Sequence, residues 1–298
     1  MRKPPGPALI GLATILWGTT GTTQELAPTG ATPATIAGLR LVVAAVTLLS
    51  VAALMGQLRH LEKMRRPATL VAVIGVAAYQ PFFFIAVDRS GVVLGTIVAI
   101  GSSPIFAGLL AWGYDRTAPS RLWTVATAIA VGGVVLLVAA GREMGGSTEG
   151  IVFALAAGAA YATYVIAARQ FSRGGEVIGP TAMIFALAAV LLLPLLATAE
   201  LGWVATAGGT ITVVHLGVLA TAVAYLLFAT GLESTRSTTA TTLSLGEPVT
   251  AALLGVVAVG ERPPLLGWVG FAMVLIALTA VATEGRSNRT LGIRRRGV

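Results

Sequence analysis

The chain has 298 residues, of which 56% are apolar and 11% are Asp, Glu, Lys or Arg; an ordinary soluble domain carries roughly 25% charged residues. With a mean hydropathy of +0.87, this composition excludes a soluble enzyme, a disordered chain and a collagen-like fibre, and it argues against an outer-membrane barrel, whose strands alternate and are polar inside. The net charge of +8 would suggest nucleic acid in a soluble protein, so its meaning depends on where the charges sit.

A bilayer-spanning helix uses about 20 apolar residues, and polar punctuation divides the chain into ten such stretches. They run at 8–24, 34–55, 68–87, 91–112, 122–140, 150–168, 178–199, 210–231, 237–259 and 264–283. All are expected to be helices, because an open sheet edge or irregular backbone cannot face lipid. Arg2 and Lys3 ahead of the first stretch resemble the charged region of a signal peptide, but no A-x-A cleavage site follows. The first stretch is therefore expected to be an uncleaved span. If the N-terminus is cytoplasmic, 16 of the 20 basic residues fall on the inner side and only Arg89, Arg142 and Arg262 on the outer. Arg40 lies inside a span. The positive-inside rule then places both termini in the cytoplasm, and the expected location is the bacterial cytoplasmic membrane, crossed many times. The tail 289–298, with Arg294-Arg295-Arg296, reads as a solvated basic segment near anionic lipid, not as a nucleic-acid arm. There is no Cys, which removes disulfides and thiolate metal sites together.

The two halves align without a gap at an offset of 144: Gly6 falls on Gly150, Thr19 on Thr163, Ser90 on Ser234, Pro104 on Pro248 and Pro119 on Pro263. Apolar matches are cheap in this composition, but Gly, Ser, Thr and Pro matches at one constant offset are not. The expected units are 1–144, 145–288 and the tail 289–298. Five spans is an odd number, so the second unit is expected to enter the membrane upside down relative to the first, as in many secondary transporters.

The second half reads Gly246-Glu247-Pro248, then an apolar run to Gly260-Glu261-Arg262, then Trp268-Val269-Gly270. The first half has Ser103-Pro104 at the matching step, opens with Ile15-Leu16-Trp17-Gly18-Thr19, and carries Leu39-Arg40 in its second span. In this order, and duplicated, these motifs resemble the EamA-type proteins of the drug/metabolite transporter superfamily over about residues 6 to 283. The resemblance implies ten helices around a central cavity and transport of a small metabolite, with export as its direction. The halves are chemically unequal: Thr117 stands where the second half has Glu261, and Ile184 stands where the first has Arg40.

Glu247 is the one carboxylate well inside a span. A charge at mid-bilayer costs at least about 2.5 kcal/mol, so it must face a cavity, find a partner or bind a proton. It is a candidate for proton coupling or for anchoring a substrate amine; the alternative is a neutral, hydrogen-bonded structural role. Pro104 and Pro248 free the carbonyls of Ile100 and Ser244, one turn back. Helix breaks at matching positions of two repeats point to a transport site, so Ser103, Pro104, Ser244 and Pro248 are expected to line the cavity. Arg40 reads as a structural ion-pair or hydrogen-bonding residue, with substrate-carboxylate binding as the alternative. Trp17, Tyr79, Gln80, Tyr161, Tyr164 and Tyr225 lie near span centres, where they either line a cavity for a flat or cationic solute or simply pack. Phe82-Phe83-Phe84 reads as lipid-facing or core. Gly91 and Gly95 form a small-residue face for close helix contact, and His215 reads as a hydrogen-bonded structural residue.

The expected function is secondary transport of small metabolites, such as amino acids or related amphipathic compounds, by alternating access, with protons as a coupling ion. Its partners are the solute and the lipid bilayer, and no cofactor is expected. An uncoupled facilitator is the alternative. An intramembrane serine hydrolase built on Gly101-Ser102-Ser103 with His215 is a remote one, since no Asp or oxyanion motif supports it. No P-loop is present, which argues against an ATP-driven pump in this chain.

Overall fold

In the computed structural model, residues 5–26, 31–58, 67–115, 119–139, 147–172, 177–197, 199–260 and 264–294 are described, and every regular element among them is helical. In chain order these are α1 (Gly6–Leu26), α2 (Pro33–Leu54), α3 (Pro67–Asp115), α4 (Arg121–Ala139), α5 (Thr148–Ser172), α6 (Ile178–Leu192), α7 (Ala207–Val214), α8 (Ala224–Leu232), α9 (Ser237–Leu243), α10 (Gly246–Leu254) and α11 (Leu265–Arg294). A wide-turn π segment, His215–Val223, joins α7 to α8, and a second, Gly255–Val259, extends α10. Seven helical stretches among the described residues are long and apolar enough to cross a bilayer: Ala34–Leu54, Pro67–Ser90, Thr148–Ser172, Ile178–Leu196, Ala207–Leu232, Ser237–Ala258 and Leu265–Thr283. The chain is an all-α, multi-pass membrane protein. Val98–Gly113 and Arg121–Leu136 are apolar but shorter.

Local sequence sets the helix starts. Thr32 caps α2 by accepting from the Thr35 N–H at 3.3 Å, with Pro33 in the first turn. Ser120 accepts from Trp123 N–H ahead of α4, and Ser147 from Gly150 N–H ahead of α5, each at 3.0 Å. These hydroxyls satisfy N–H groups that the first helical turn leaves free. Gly260, with φ of 81°, ends the segment after α10 in the left-handed conformation glycine adopts readily.

The spans expected at 68–87 and 91–112 form two arms, but helical structure is not broken between them at residues 88–90: it runs on through α3 while the chain reverses. In a straight helix Val87 and Gly95 would lie about 12 Å apart. Here a Cβ on Gly95 would stand 3.0 Å from the Val87 nitrogen and 3.1 Å from the Ala86 carbonyl carbon. The missing side chain is what lets the two arms of α3 touch, which is the close contact expected of Gly95. Along α5, a Cβ on Gly75 would meet the Tyr164 nitrogen at 2.8 Å and one on Gly158 the Ala99 oxygen at 2.6 Å, so α5 packs against both arms.

The bundle interior is dominated by alanine, with larger side chains such as Ile10, Leu41, Leu48, Phe185 and Phe228 between α1, α2, α6 and α8. A second cluster, with Ile100, Trp123, Val134 and Val274, joins α4 and α11 to the far arm of α3. Small residues suit this setting: lipid tails are as apolar as the interior, so close backbone approach, not exclusion from water, holds membrane helices together. Contacts recur in exchanged form. A Cβ on Gly6 would collide with the Ser234 hydroxyl, and a Cβ on Gly150 with that of Ser90.

The tail expected at 289–298 is helical as far as Arg294; residues 295–298 lie outside the described residues. So do Glu261 and the basic residues Arg2, Lys3, Arg59, Lys63, Arg65, Arg66, Arg116, Arg142, Arg173, Arg262, Arg295 and Arg296, on which the orientation reading partly rests.

Candidate substrate cavity

A cavity of about 110 Å³ lies in the middle of the bundle, room for several water molecules. Trp17 and Thr20 of α1 and Arg40 of α2 form one side. Tyr79, Gln80, Phe83 and Phe84 come from the first arm of α3, and Ala99, Ile100 and Ser103 from the second. Tyr161 of α5, Tyr225 of α8, Ser244 and Glu247 complete it.

The aromatic residues form one continuous wall. Trp17 lies 5.0 Å from Tyr225 and 6.3 Å from Tyr161, ring centre to ring centre, and Tyr79 lies 6.0 Å from Tyr161 and stacks on Phe83 at 5.5 Å. Tyr164, expected at the cavity, stands behind this wall instead. It is 2% exposed, with Tyr225 at 5.7 Å and Phe185 at 6.4 Å, and it supports Tyr225 from the rear.

Glu247 owes its place to the break between α9 and α10. Pro248 has no N–H for the Ser244 carbonyl. That carbonyl accepts instead from the Glu247 N–H at 3.0 Å, and Leu245 N–H turns to the Thr242 carbonyl at 3.1 Å. The chain tightens by these shorter links, α9 ends at Leu243, and Glu247 sits in the first turn of α10. The matching Pro104 behaves differently. Helix α3 continues through it, and the Ile100 carbonyl it frees accepts from the Ser103 hydroxyl at 2.8 Å. The expected break is therefore found at Pro248 and not at Pro104. Ser103 and Ser244 line the cavity, whereas Pro104 and Pro248 are not among its lining residues.

The Leu-Trp-Gly-Thr run at 16–19 does three jobs at once. Trp17 faces the cavity. A Cβ on Gly18 would lie 2.5 Å from Thr250 Cβ and 2.9 Å from the Glu247 carbonyl oxygen, so glycine is what lets α10 bring Glu247 up to α1. Thr19 gives its proton to the Leu16 carbonyl at 2.6 Å, so the 2.8 Å contact with His215 is one in which Nε2 donates. His215 is thus the hydrogen-bonded structural residue expected. Ser102 and Ser103 direct their hydroxyls to the Ala99 and Ile100 carbonyls, so the Ser–His pairing of a hydrolase is not formed.

Arg40 and Glu247 line the same cavity, yet no ion pair joins them among the described residues. Among the described residues the buried Arg40 Nε and Trp17 Nε1 also have no hydrogen-bond partner. Of the ion pair or hydrogen bond expected for Arg40, no ion pair is found among the described residues, and Arg40 lines the cavity. Phe83 and Phe84, read from sequence as lipid-facing or core, line the cavity too, while Phe82 packs on Phe153 at 6.0 Å. Thr20 was missed. The signal was present: Thr20 follows Trp17 by three, and Phe83 and Phe84 follow Tyr79 and Gln80 by four, the spacing that shares a helix face.

A model of the EamA-like transporter family matches residues 4–139 and again residues 148–283. The chain belongs to the EamA-like transporter family. This EamA-like chain is 36% identical over 279 residues to the uncharacterized transporter YwfM of Bacillus subtilis, covering 94% of each. It is 21% identical over 283 residues to the uncharacterized inner membrane transporter YicL of Salmonella typhimurium, covering 92% of this chain and 94% of that one. A solved crystal structure of 20% identity superposes with a TM-score of 0.78 over 94% of this chain and 98% of the other, which shows a shared fold. The protein is a membrane transporter, not an enzyme.

Proposed function

We propose that this EamA-like protein is a secondary transporter that moves small zwitterionic metabolites, amino acids or close relatives, by alternating access through the cavity between Arg40 and Glu247. One observation carries the reading: among the described residues, Arg40 and Glu247 line one cavity without an ion pair, and the buried Arg40 Nε and the neighbouring Trp17 Nε1 lack partners. Unpaired polar groups inside a membrane protein are costly and mark solute or ion pathways. A carboxylate on the solute satisfies Arg40, an ammonium satisfies Glu247, and the aromatic wall adds attraction for the ammonium. When the site is empty, a proton on Glu247 takes the place of the ammonium, which couples flux to the proton gradient. Export as the direction rests on the family resemblance.

Alternating access also requires two related halves, and we read the chain as ten crossings in two inverted units. Two features support this. The family model matches twice, 144 residues apart, the offset at which the halves align. The contacts Gly6 with Ser234 and Gly150 with Ser90 exchange partners across that same offset, as a twofold relation between halves demands.

The test is amino-acid flux in proteoliposomes under an imposed pH gradient. Accumulation against the solute gradient is expected, and Glu247→Gln is expected to abolish its pH dependence. If Glu247→Gln leaves both flux and pH profile intact, the coupling role is wrong. A solute that only equilibrates makes the protein a facilitator.

A further inference from the structure

A second cavity, of about 650 Å³, lies away from the central one, between the second arm of α3 and α4. Ile105, Leu109 and Trp112 form one wall, and Trp123, Ala128 and Val131 the other. Ile105, Leu109 and Trp112 are more than half exposed, at 53%, 56% and 59%, so the groove opens on the outside of the bundle, where lipid stands. Gly132 leaves part of its space unfilled, whereas Gly108 lets the Trp123 ring close against α3, a Cβ there standing 2.9 Å from it.

The polar groups of its α4 wall are already engaged. Thr124 donates to the Ser120 carbonyl at 3.0 Å, Thr127 bonds the Thr242 hydroxyl at 2.9 Å, and Trp123 Nε1 donates to the Thr238 carbonyl at 3.0 Å. A polar solute would find no free donor on that wall, whereas hydrocarbon would need none. From Trp123 to Gly132 the helix rises about 14 Å, close to half of a roughly 30 Å hydrocarbon core. The groove is one leaflet deep. At its Trp112 and Trp123 end, aromatic rings sit where membrane interfaces favour them. Arg121 is exposed there, and its spacing to Thr124, Ala128 and Gly132 puts it on the groove face of α4.

We propose that this groove binds one anionic phospholipid, an acyl chain lying between α3 and α4 and the net negative headgroup facing Arg121, which a zwitterionic headgroup would not satisfy. The site is independent of the central cavity and of what that cavity transports. Its wall is also where α4 holds α9: the same Trp123 and Thr127 that face the acyl chain bond Thr238 and Thr242.

Native mass spectrometry of the full chain, delipidated and then exposed to phosphatidylglycerol or phosphatidylcholine, tests it. One phosphatidylglycerol per chain is expected to be retained in preference to phosphatidylcholine. Arg121→Gln is expected to cut that preference by about fivefold, the effect of one basic residue near anionic lipid, without changing phosphatidylcholine retention. Gly132→Leu is expected to abolish retention of both lipids. A Cβ there meets only Met273 Cε, at 3.6 Å, and leucine favours helix over glycine, so an unchanged melting temperature in detergent verifies the fold. Equal retention of the two lipids by the parent protein, undiminished retention by Gly132→Leu, or a lipid-free dimer formed across this face would each overturn the proposal.

Discussion

Tyr161 donates a hydrogen bond to Ser244 at 2.8 Å, because Ser244 gives its own proton to the Ala240 carbonyl 3.1 Å away. This bond ties α5 to the break that positions Glu247. Tyr161→Phe keeps the ring contacts with Trp17 and Tyr79 and deletes only the bond. A loss of about 1 kcal/mol is expected in denaturation experiments. Ser244→Ala should lose a similar amount, and the double variant little more than either alone. Fully additive losses would show that the two side chains are not coupled.

At Pro104 the expected effect depends on background. Ser103→Ala removes the donor to the Ile100 carbonyl and should cost about 1–3 kcal/mol, the range for a buried acceptor left bare. With Pro104→Ala present, residue 104 regains an N–H that reaches that carbonyl, and Ser103→Ala should become nearly neutral. Thermal midpoints of the four proteins measure this directly, and equal costs in both backgrounds would contradict it.

Glycine at position 18 is a packing requirement. Gly18→Ala puts a Cβ 2.5 Å from Thr250 Cβ, forcing α1 away from α10, with an expected loss of about 1–3 kcal/mol. Gly11, on the same helix, has nothing within 4 Å of where its Cβ would be. Gly11→Ala should therefore be neutral or stabilising by about 0.4–1 kcal/mol. Similar melting temperatures for the two variants would mean that the α1–α10 contact is not tight.

Arg40→Gln should separate carboxylate recognition from amine recognition. Binding of an amino acid is expected to weaken by about 10- to 100-fold, the strength of a hydrogen bond to a charged group. Binding of the same molecule lacking its carboxylate should change little. The readout is ligand-induced thermal shift, and equal weakening for both ligands would remove Arg40 from the site.

Much of this was legible in the sequence because membrane burial makes polar residues conspicuous. Arg40, Gln80 and Glu247 stand out in apolar runs, and Trp17, Tyr79, Tyr161 and Tyr225 carry polar tips near span centres. Phe83 and Phe84 carry none, so on a helix apolar all round nothing but spacing separates a cavity-facing ring from a lipid-facing one. Tyr164 shows the converse. It follows Tyr161 by three and shares its side of α5, but Tyr225 already occupies the space in front of it. The reversal of α3 was hidden for another reason. Asp88-Arg89-Ser90 reads as a loop, yet the chain turns there without leaving helical hydrogen bonding. Which carbonyl a proline frees could be read from sequence; which group would then satisfy it could not.

The exchanged contacts of Gly6 with Ser234 and Gly150 with Ser90 have a consequence for stoichiometry. Such an interface is self-complementary, so two identical half-chains would close it as well as two unlike ones. A pair of identical halves would have to present two Ser103 residues or two Glu247 residues to one chamber. Joining unlike halves in one chain removes that constraint. Position 103 holds a hydroxyl while its counterpart at 247 holds an acid, and the central chamber is lined by a single carboxylate among the described residues. On the inverted-unit reading proposed above, covalent fusion leaves the chamber with one carboxylate where two identical halves would place two or none.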